Sequence, residues 1–335
     1  MVFLHRNRLL SSEELKASLF PPHYSEFTFA RMTKNFRAHL FLFLANLIYG
    51  VSFTIAKDVV PKFIQPFGAI VIRVSVSLVL FLIAHAVFIK EKIKRKDIPL
   101  LIGCGFFGVA INQLLFFKGL SITTPIHAAL IMTTTPIIVL VLSGLLKDEK
   151  ITILKIAGIV VGICGALVIT VFGKEISFST TTAEGDIYVM INAASYAVYL
   201  VIVKPLMHRY HPITIIKWVF LFGWIFVLPV GWNQFHAINW NSFSPSIWFE
   251  LSFIVIATTF FAYLFNILAL KTADPSLAGI YIYIQPALAT IFAMILGRDD
   301  LNGIKILAMI LIFAGVYLVS IRSEKNPIIK VFSGK

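Results

Sequence analysis

The residues best placed to do chemistry in this sequence are polar side chains standing inside long apolar runs. Gln285 precedes Pro286, with Tyr281 one helical turn earlier, and Thr135 precedes Pro136, with Thr134 beside it. Asn112 and Gln113 add neighbouring amides, Tyr196 a phenol and Arg73 a guanidinium. An amide or hydroxyl in hydrocarbon needs hydrogen-bond partners. Either these groups bond one another between helices, typically for about 0.6 kcal/mol, or they line a water-filled cavity that binds a polar ligand. The substrate cavity is the reading adopted for all eight, centred between the helices that carry the two prolines.

Arg73 is the one strongly charged residue well inside an apolar run. A centred arginine costs about 2.5–3.5 kcal/mol on insertion scales. Counting from Pro66 at 1.5 Å per residue puts it roughly 10 Å deep. Recognition of a substrate carboxylate would explain the expense; the alternatives are service to backbone carbonyls or snorkelling outward. Pro136 and Pro286 each remove a backbone donor, so the carbonyls of Met132 and Ile282, four residues earlier, lose their usual partners. In lipid such groups must find other partners or face a cavity. A hinge or an open carbonyl at the substrate site is expected, with an inherited packing kink as the alternative.

Catalysis finds little support. Asp58, Glu250 and Asp274 fall at the ends of apolar runs and no acid lies in the middle of one, which weakens proton antiport through a carboxylate. His127, also near an end, reads as structural. No HExxH, P-loop or GxSxG is present, removing the commonest metalloprotease, ATPase and hydrolase readings. Gly103-Cys104-Gly105-Phe106-Phe107-Gly108 spells GxGxxG, but a dinucleotide site needs it between a strand and a helix N-terminus. Inside an apolar run it reads as close helix packing, as does Gly158-xxx-Gly162 with Gly165. Cys104 and Cys164 read as small packing residues. No catalytic residue, metal or cofactor is expected.

The elements that must position these groups follow from composition. Of 335 residues, 59% are hydrophobic and 13% charged, about half the charge of a soluble domain. Such a surface must face lipid. Crossing roughly 30 Å of hydrocarbon takes about 20 apolar residues, and spans are expected at 38–57, 66–89, 98–118, 124–146, 151–172, 186–204, 212–231, 246–269, 275–296 and 302–321. The formal charge of +13 then reflects basic loops, not nucleic-acid binding. With the N-terminus inside, 22 Lys and Arg fall on the inner side against six outside. The inside-positive bias therefore puts both termini in the cytoplasm. Residues 1–36 read as a polar extension without a secretory leader, with Met32 a plausible start and 1–31 dispensable.

An internal repeat organises the spans. Shifted by 150, residues 125–169 fall on 275–319 without a gap: Pro125 on Pro275, Pro136 on Pro286, Lys155 on Lys305 and Gly165 on Gly315. A charged break recurs too, Asp148-Glu149 against Arg298-Asp299, and Tyr49 and Lys57 fall on Tyr196 and Lys204 at a shift of 147. Five spans per unit make the second copy enter from the opposite side. The predicted fold is therefore an all-α membrane protein of ten helices in two inverted five-helix repeats, an arrangement that places substrate at the repeat interface near mid-bilayer.

The chain resembles the EamA family of the drug/metabolite transporter superfamily. Leu47-Ile48-Tyr49-Gly50-Val51-Ser52-Phe53 with Lys57 is similar to the family's first-helix pattern. Pro66 and Arg73, then Gly119-Leu120, Thr123, Ala128-Ala129, Pro136, Glu149, Gly158 and Gly165, follow in order. Tyr49 stands for the usual tryptophan, Asp299 for the second glutamate and Ala308 for a glycine, and helix 7 has no arginine. The resemblance implies repeats over 37–172 and 184–322, flanked by cytoplasmic segments 1–36 and 323–335. It implies a plasma-membrane exporter (inner membrane in a bacterium) of amino acids or related small metabolites, with membrane lipid as surroundings, no nucleic acid, and a homodimer left open. A nucleotide-sugar or sugar-phosphate exchanger would need more basic residues. A membrane enzyme would show clustered acids, histidines or a nucleophile, and a scaffold or sensor would carry an attached domain.

Overall fold

The computed structural model describes residues 22–146, 149–171, 180–295 and 302–321, and every regular element among them is helical. The first helix, α1, runs Pro22–Val59. The others are α2 (Pro66–Phe88), α3 (Arg95–Ile122), α4 (His127–Leu145), α5 (Ile153–Val171), α6 (Ala183–Met207), α7 (Pro212–His236), α8 (Pro245–Leu270), α9 (Pro275–Phe292) and α10 (Gly303–Ser320). These last nine are long and apolar enough to span a bilayer; within α1 the apolar part is the shorter Phe36–Ser52. The backbone of α1 starts at Pro22, inside the segment read as an extension. No glycine or further proline interrupts 23–49, so the hydrogen-bond ladder simply continues. Residues 1–21, the tail from 322, and Asp148, Arg298 and Asp299 of the charged breaks lie outside the described residues.

Punctuation is local and readable. Prolines occupy the first turn of α2, α7, α8 and α9, where a missing N–H costs nothing. Side-chain caps close several N-termini: Thr124 Oγ1 accepts from His127 N–H at 3.2 Å, and Asn302 Oδ1 from Lys305 N–H at 2.9 Å. Large apolar residues such as Phe88, Leu145, Ile153, Phe249 and Ile295 are exposed, as suits walls meeting lipid.

The helices pair as α5 with α10, α2 with α7, α1 with α8, and α3 with α6. Small residues set the closest approaches. A Cβ on Gly158 would come within 2.8 Å of the Gly315 carbonyl oxygen, fixing α5 against α10. In the GxGxxG stretch, a Cβ on Gly105 would meet the backbone N of Gly223 in α7 at 2.8 Å. The motif is a packing device here.

Four irregular stretches matter. π-helical turns occupy Phe106–Ile111 in α3 and Phe253–Phe261 in α8, at matching places in the two halves of the chain. α4 breaks at Thr133–Thr134 and restarts at Thr135. α9 passes through a 3-10 turn at Tyr281–Tyr283 and restarts at Ile284. Pro136 and Pro286 thus stand in the first turns of new helical segments. Tyr283 Oη donates to the Thr133 carbonyl at 2.9 Å, joining the two breaks.

Polar contacts tie the two halves at one end of the bundle. Buried Glu149 accepts from Lys155 Nζ, from Ser276 Oγ, and from Ser276 N–H at 3.3 Å at the start of α9. Asp97 accepts from Arg209 and from Tyr210 Oη (2.6 Å); within the second half, Lys204 Nζ donates to the Leu270 carbonyl at 2.8 Å. At the other end, Gln234 Oε1 accepts from Phe67 N–H at 2.7 Å, and Asp186 bonds Thr123 and His127.

Candidate functional site

A cavity of about 110 Å³ lies inside the bundle, with walls from α1, α2, α3, α4, α6, α8 and α9. That is space for several waters or for part of a small metabolite. Polar side chains reach the cavity from most of these helices: Asn46, Tyr49 and Ser52 from α1, Arg73 from α2, Asn112 and Gln113 from α3. Asn192 and Tyr196 from α6, Thr258, Tyr263 and Asn266 from α8, and Gln285 from α9 complete the set. Phe116, Phe117, Leu120, Ile254 and Ile282 supply the apolar part.

The irregular turns place this polarity. A π-turn displaces one backbone carbonyl from the regular ladder, and such turns concentrate at functional sites. In α3, Tyr263 Oη lies 3.1 Å from the Gly108 carbonyl and 3.2 Å from Asn112 Oδ1, and it accepts from Gln113 Nε2 at 3.3 Å. Ser195 Oγ donates to the Phe107 carbonyl at 2.9 Å, and Asn192 Nδ2 to the Asn112 carbonyl at 2.6 Å. In α8, Thr258 and Thr259 both donate to the Ile254 carbonyl. The same two hydroxyls accept from Arg73, Thr259 from Nε at 2.8 Å and Thr258 from Nη2 at 3.4 Å.

Arg73 is 5% exposed and its guanidinium stands over the Phe117 ring at 4.6 Å, a cation–π arrangement. It does not snorkel, and it meets no carboxylate among the described residues. No Asp or Glu lines the cavity among the described residues. On the opposite side, Gln285 Nε2 donates to Asn46 Oδ1 at 2.7 Å, and Asn46 Nδ2 to the Leu42 carbonyl at 2.7 Å. Two acceptors buried behind the cavity surface, Gln113 Oε1 and Asn192 Oδ1, have no hydrogen-bond partner among the described residues.

Of the eight residues expected at the site, the structure brings Arg73, Asn112, Gln113, Tyr196 and Gln285 around one cavity. Thr134, Thr135 and Tyr281 are elsewhere. Thr134 Oγ1 donates back to the Ile131 carbonyl at 2.7 Å, Thr135 is fully buried, and Tyr281 Oη bonds His39 Nδ1 at 2.7 Å. Tyr281 and Gln285 both reach α1, at His39 and Asn46 two turns apart, but only Gln285 lies at the depth of the cavity. The cavity accordingly lies among six helices and touches α4 only at Met132. Met132 and Ile282, whose carbonyls were expected to be freed by the prolines, both line it.

Tyr263, Asn192, Asn266, Asn46 and Thr258 were missed. The repeat itself could have found Tyr263: it lies 150 residues after Gln113, the shift that superposes the two halves, as Tyr283 lies 150 after Thr133.

The chain matches the EamA-like transporter family over residues 36–171 and 183–321. An uncharacterised transporter of Archaeoglobus fulgidus is 26% identical over 278 residues, 83% of this chain and 96% of its own. YetK of Bacillus subtilis, also an uncharacterised transporter, is 23% identical over 92% of this chain and 94% of its own. A probable terminal-alkyne amino-acid exporter of Streptantibioticus cattleyicolor is 28% identical over 158 residues, covering 47% of this chain and 52% of that protein. A crystal structure of another protein, 19% identical, shares the fold at a TM-score of 0.68 over 84% of this chain and 95% of that one. Both halves of the sequence carry the family's pattern, and the chain is a membrane-embedded member of the EamA-like transporter family, a family of transporters and not of enzymes.

Proposed function

We propose that this protein is a secondary transporter that exports small polar or amphipathic metabolites, amino acids or related compounds among them, by alternating access. The observation that carries the reading is a cavity reached by many polar side chains within an otherwise apolar bundle and walled by both halves of the chain. The substrate site comprises Gln285, Arg73, Asn112, Gln113 and Tyr196, joined by Tyr263 and Asn192. The export direction and the amino-acid class draw on the Streptantibioticus relative.

The two halves form inverted repeats. Exchange of α1 with α6 and of α3 with α8 converts one helix pair, α1 with α8, into the other, α3 with α6. That is what a two-fold axis in the membrane plane requires. Both termini are cytoplasmic by the inside-positive bias, in the plasma membrane, so the end held by Glu149, Asp97 and Lys204 faces the cytoplasm. The breaks beside Pro136 and Pro286 serve as hinges where one bundle rocks against the other. A phosphate-bearing exchange substrate fits less well, since Arg73 alone among the described wall residues is basic.

Purified protein in liposomes, assayed with a panel of labelled amino acids and related metabolites, tests the reading. Flux of at least one compound is expected, together with at least a tenfold loss in Gln285→Leu at near-normal melting temperature. Folded protein that moves nothing overturns it. Normal transport by Gln285→Leu removes that residue from the site.

A further inference from the structure

One cation within a span has only neutral partners. Lys217 lies in the second turn of α7, which starts at Pro212, roughly 8 Å from that end at 1.5 Å per residue. Among the described residues its ammonium meets His85 Nδ1 of α2 at 3.4 Å and the Trp218 ring at 5.1 Å. An imidazole nitrogen accepts from an ammonium only in its unprotonated form, so neither partner brings a compensating charge. A cation at the edge of the hydrocarbon without a counterion is costly. Lys217 is only half-buried, so a counterion can reach it from outside the bundle.

More positive charge stands beside it at the bundle end. The chain leaving α2 is extended at Ile89 and again at Lys94, so successive side chains face opposite ways. Glu91 turns in, its carboxylate accepting from His211 N–H at 2.9 Å next to the start of α7, while Lys90 and Lys92 are exposed. The segment is thereby pinned beside α7 with its one acid engaged and two lysines outward. Deeper in the membrane the edge of the α2–α7 pair is apolar. Val79, Leu82 and Ile83 of α2 are exposed, down to Trp224 Nε1 of α7, which donates to Ser75 Oγ of α2 at 2.9 Å. From His85 to Ser75 is roughly 15 Å along α2. That is half of a hydrocarbon core of about 30 Å, the depth of one leaflet's acyl chains.

We propose that this edge of the α2–α7 pair is a binding site for an anionic phospholipid, its phosphate held by Lys217 with Lys90 and Lys92 and an acyl chain lying along Val79 and Leu82. Basic pockets between membrane helices suit acidic headgroups. A zwitterionic phospholipid fits less well, because its ammonium would need an acid and Glu91 is taken by His211. The orientation proposed above puts the site in the cytoplasmic leaflet. It shares no residue with the lining of the central cavity.

The experiment reads binding without flux. Delipidated full-length protein in a single detergent is titrated with phosphatidylglycerol, phosphatidylcholine and inorganic phosphate. Thermal stabilisation gives the affinities, and native mass spectrometry counts the bound lipid. In the wild type, phosphatidylglycerol should bind at least fivefold more tightly than phosphatidylcholine, with no stabilisation by phosphate. In Lys217→Gln that preference should collapse toward one, and Lys217→Arg should keep most of it. Arg37→Gln, which removes an exposed charge from α1 at the same end of the bundle, should leave it unchanged. Should Lys217→Gln fail to fold, the exposed pair Lys90→Gln/Lys92→Gln supplies the second arm and should lower the preference at least twofold. Equal wild-type affinity for the two lipids, or an unchanged preference in Lys217→Gln, overturns the proposal. So does an equal loss in Arg37→Gln, which would mean that the whole basic end attracts acidic lipid. Stabilisation by inorganic phosphate to the extent given by phosphatidylglycerol assigns the cations to a soluble anion and overturns it too. Lipid binding as expected in protein that moves nothing in liposomes leaves this site standing and removes the transport reading.

Discussion

Glu149 offers the sharpest test of how the two halves are held together. Its side chain is 2% exposed and that of Lys155 is 10% exposed. The same carboxylate takes Ser276 N–H and Oγ at the start of α9. Removing one member of a buried pair typically costs about 3–5 kcal/mol, because the other charge is left uncompensated. In Glu149→Gln, Lys155 keeps a second carboxylate, Asp274, at 3.5 Å, but that group is 40% exposed and compensates only in part. A loss of about 2–3 kcal/mol follows. At roughly 2–4 °C per kcal/mol for larger domains, melting should fall by about 4–12 °C, read by intrinsic fluorescence in a single detergent. The double variant Glu149→Gln/Lys155→Met should recover at least half the loss, since no unpaired charge stays buried. A single variant melting within about 1 °C of wild type, or a double variant worse than the single, refutes the argument that buried Glu149 locks the halves.

Single cysteines on a background lacking Cys104 and Cys164 should react with an impermeant thiol reagent from outside at Asn241 and not at Lys94; labelling at Lys94 overturns the orientation and the inverted repeat with it. Gly158→Leu should separate α5 from α10, because its Cβ alone meets the Gly315 carbonyl oxygen at 2.8 Å. A cost of about 1–3 kcal/mol is expected for overpacking, and unchanged melting contradicts the contact. His211 lies between α6 and α7, and its Nδ1 caps α7 by accepting from Ile213 N–H at 3.3 Å. Burial, then Lys271, lowers its pKa, with Glu91 opposing. Its neutral form is thus the one the fold favours. The contribution is complete above the usual value of about 6.5 and is lost as pH falls through the lower folded value. His211→Asn, a cap that does not titrate, should match wild type at pH 7.5 and exceed it at pH 5 by about 1 kcal/mol; the same difference at both pH values rules the cap out.

Hydropathy, span count and the 150-residue shift were legible in the sequence because each depends on residue type along the chain and not on what the chain meets. Lipid demands an apolar exterior whatever the helices do inside, so the 59% hydrophobic content already implied the class of protein. Proline position was equally local: Pro136 and Pro286 announced breaks that the structure has at Thr133–Thr134 and Tyr281–Tyr283. Gln285, Asn112, Gln113, Tyr196 and Arg73 could be singled out because a polar group in an apolar run must find a partner. Which partner it finds was another matter. Tyr281 meets His39 at a depth outside the cavity, and the two π-turns shift Thr258, Thr259 and Asn112 off the regular 100° period. That Tyr263 closes on Gln113, that Arg73 rests on Phe117 with its Nη1 edge unengaged, and that Asn192 and Asn46 join the wall depend on how α1, α3, α6 and α8 pack. Close approach at Gly108, Gly119 and Gly185 decides how α3 and α6 pack, and a glycine in the sequence announces that something comes near without saying what.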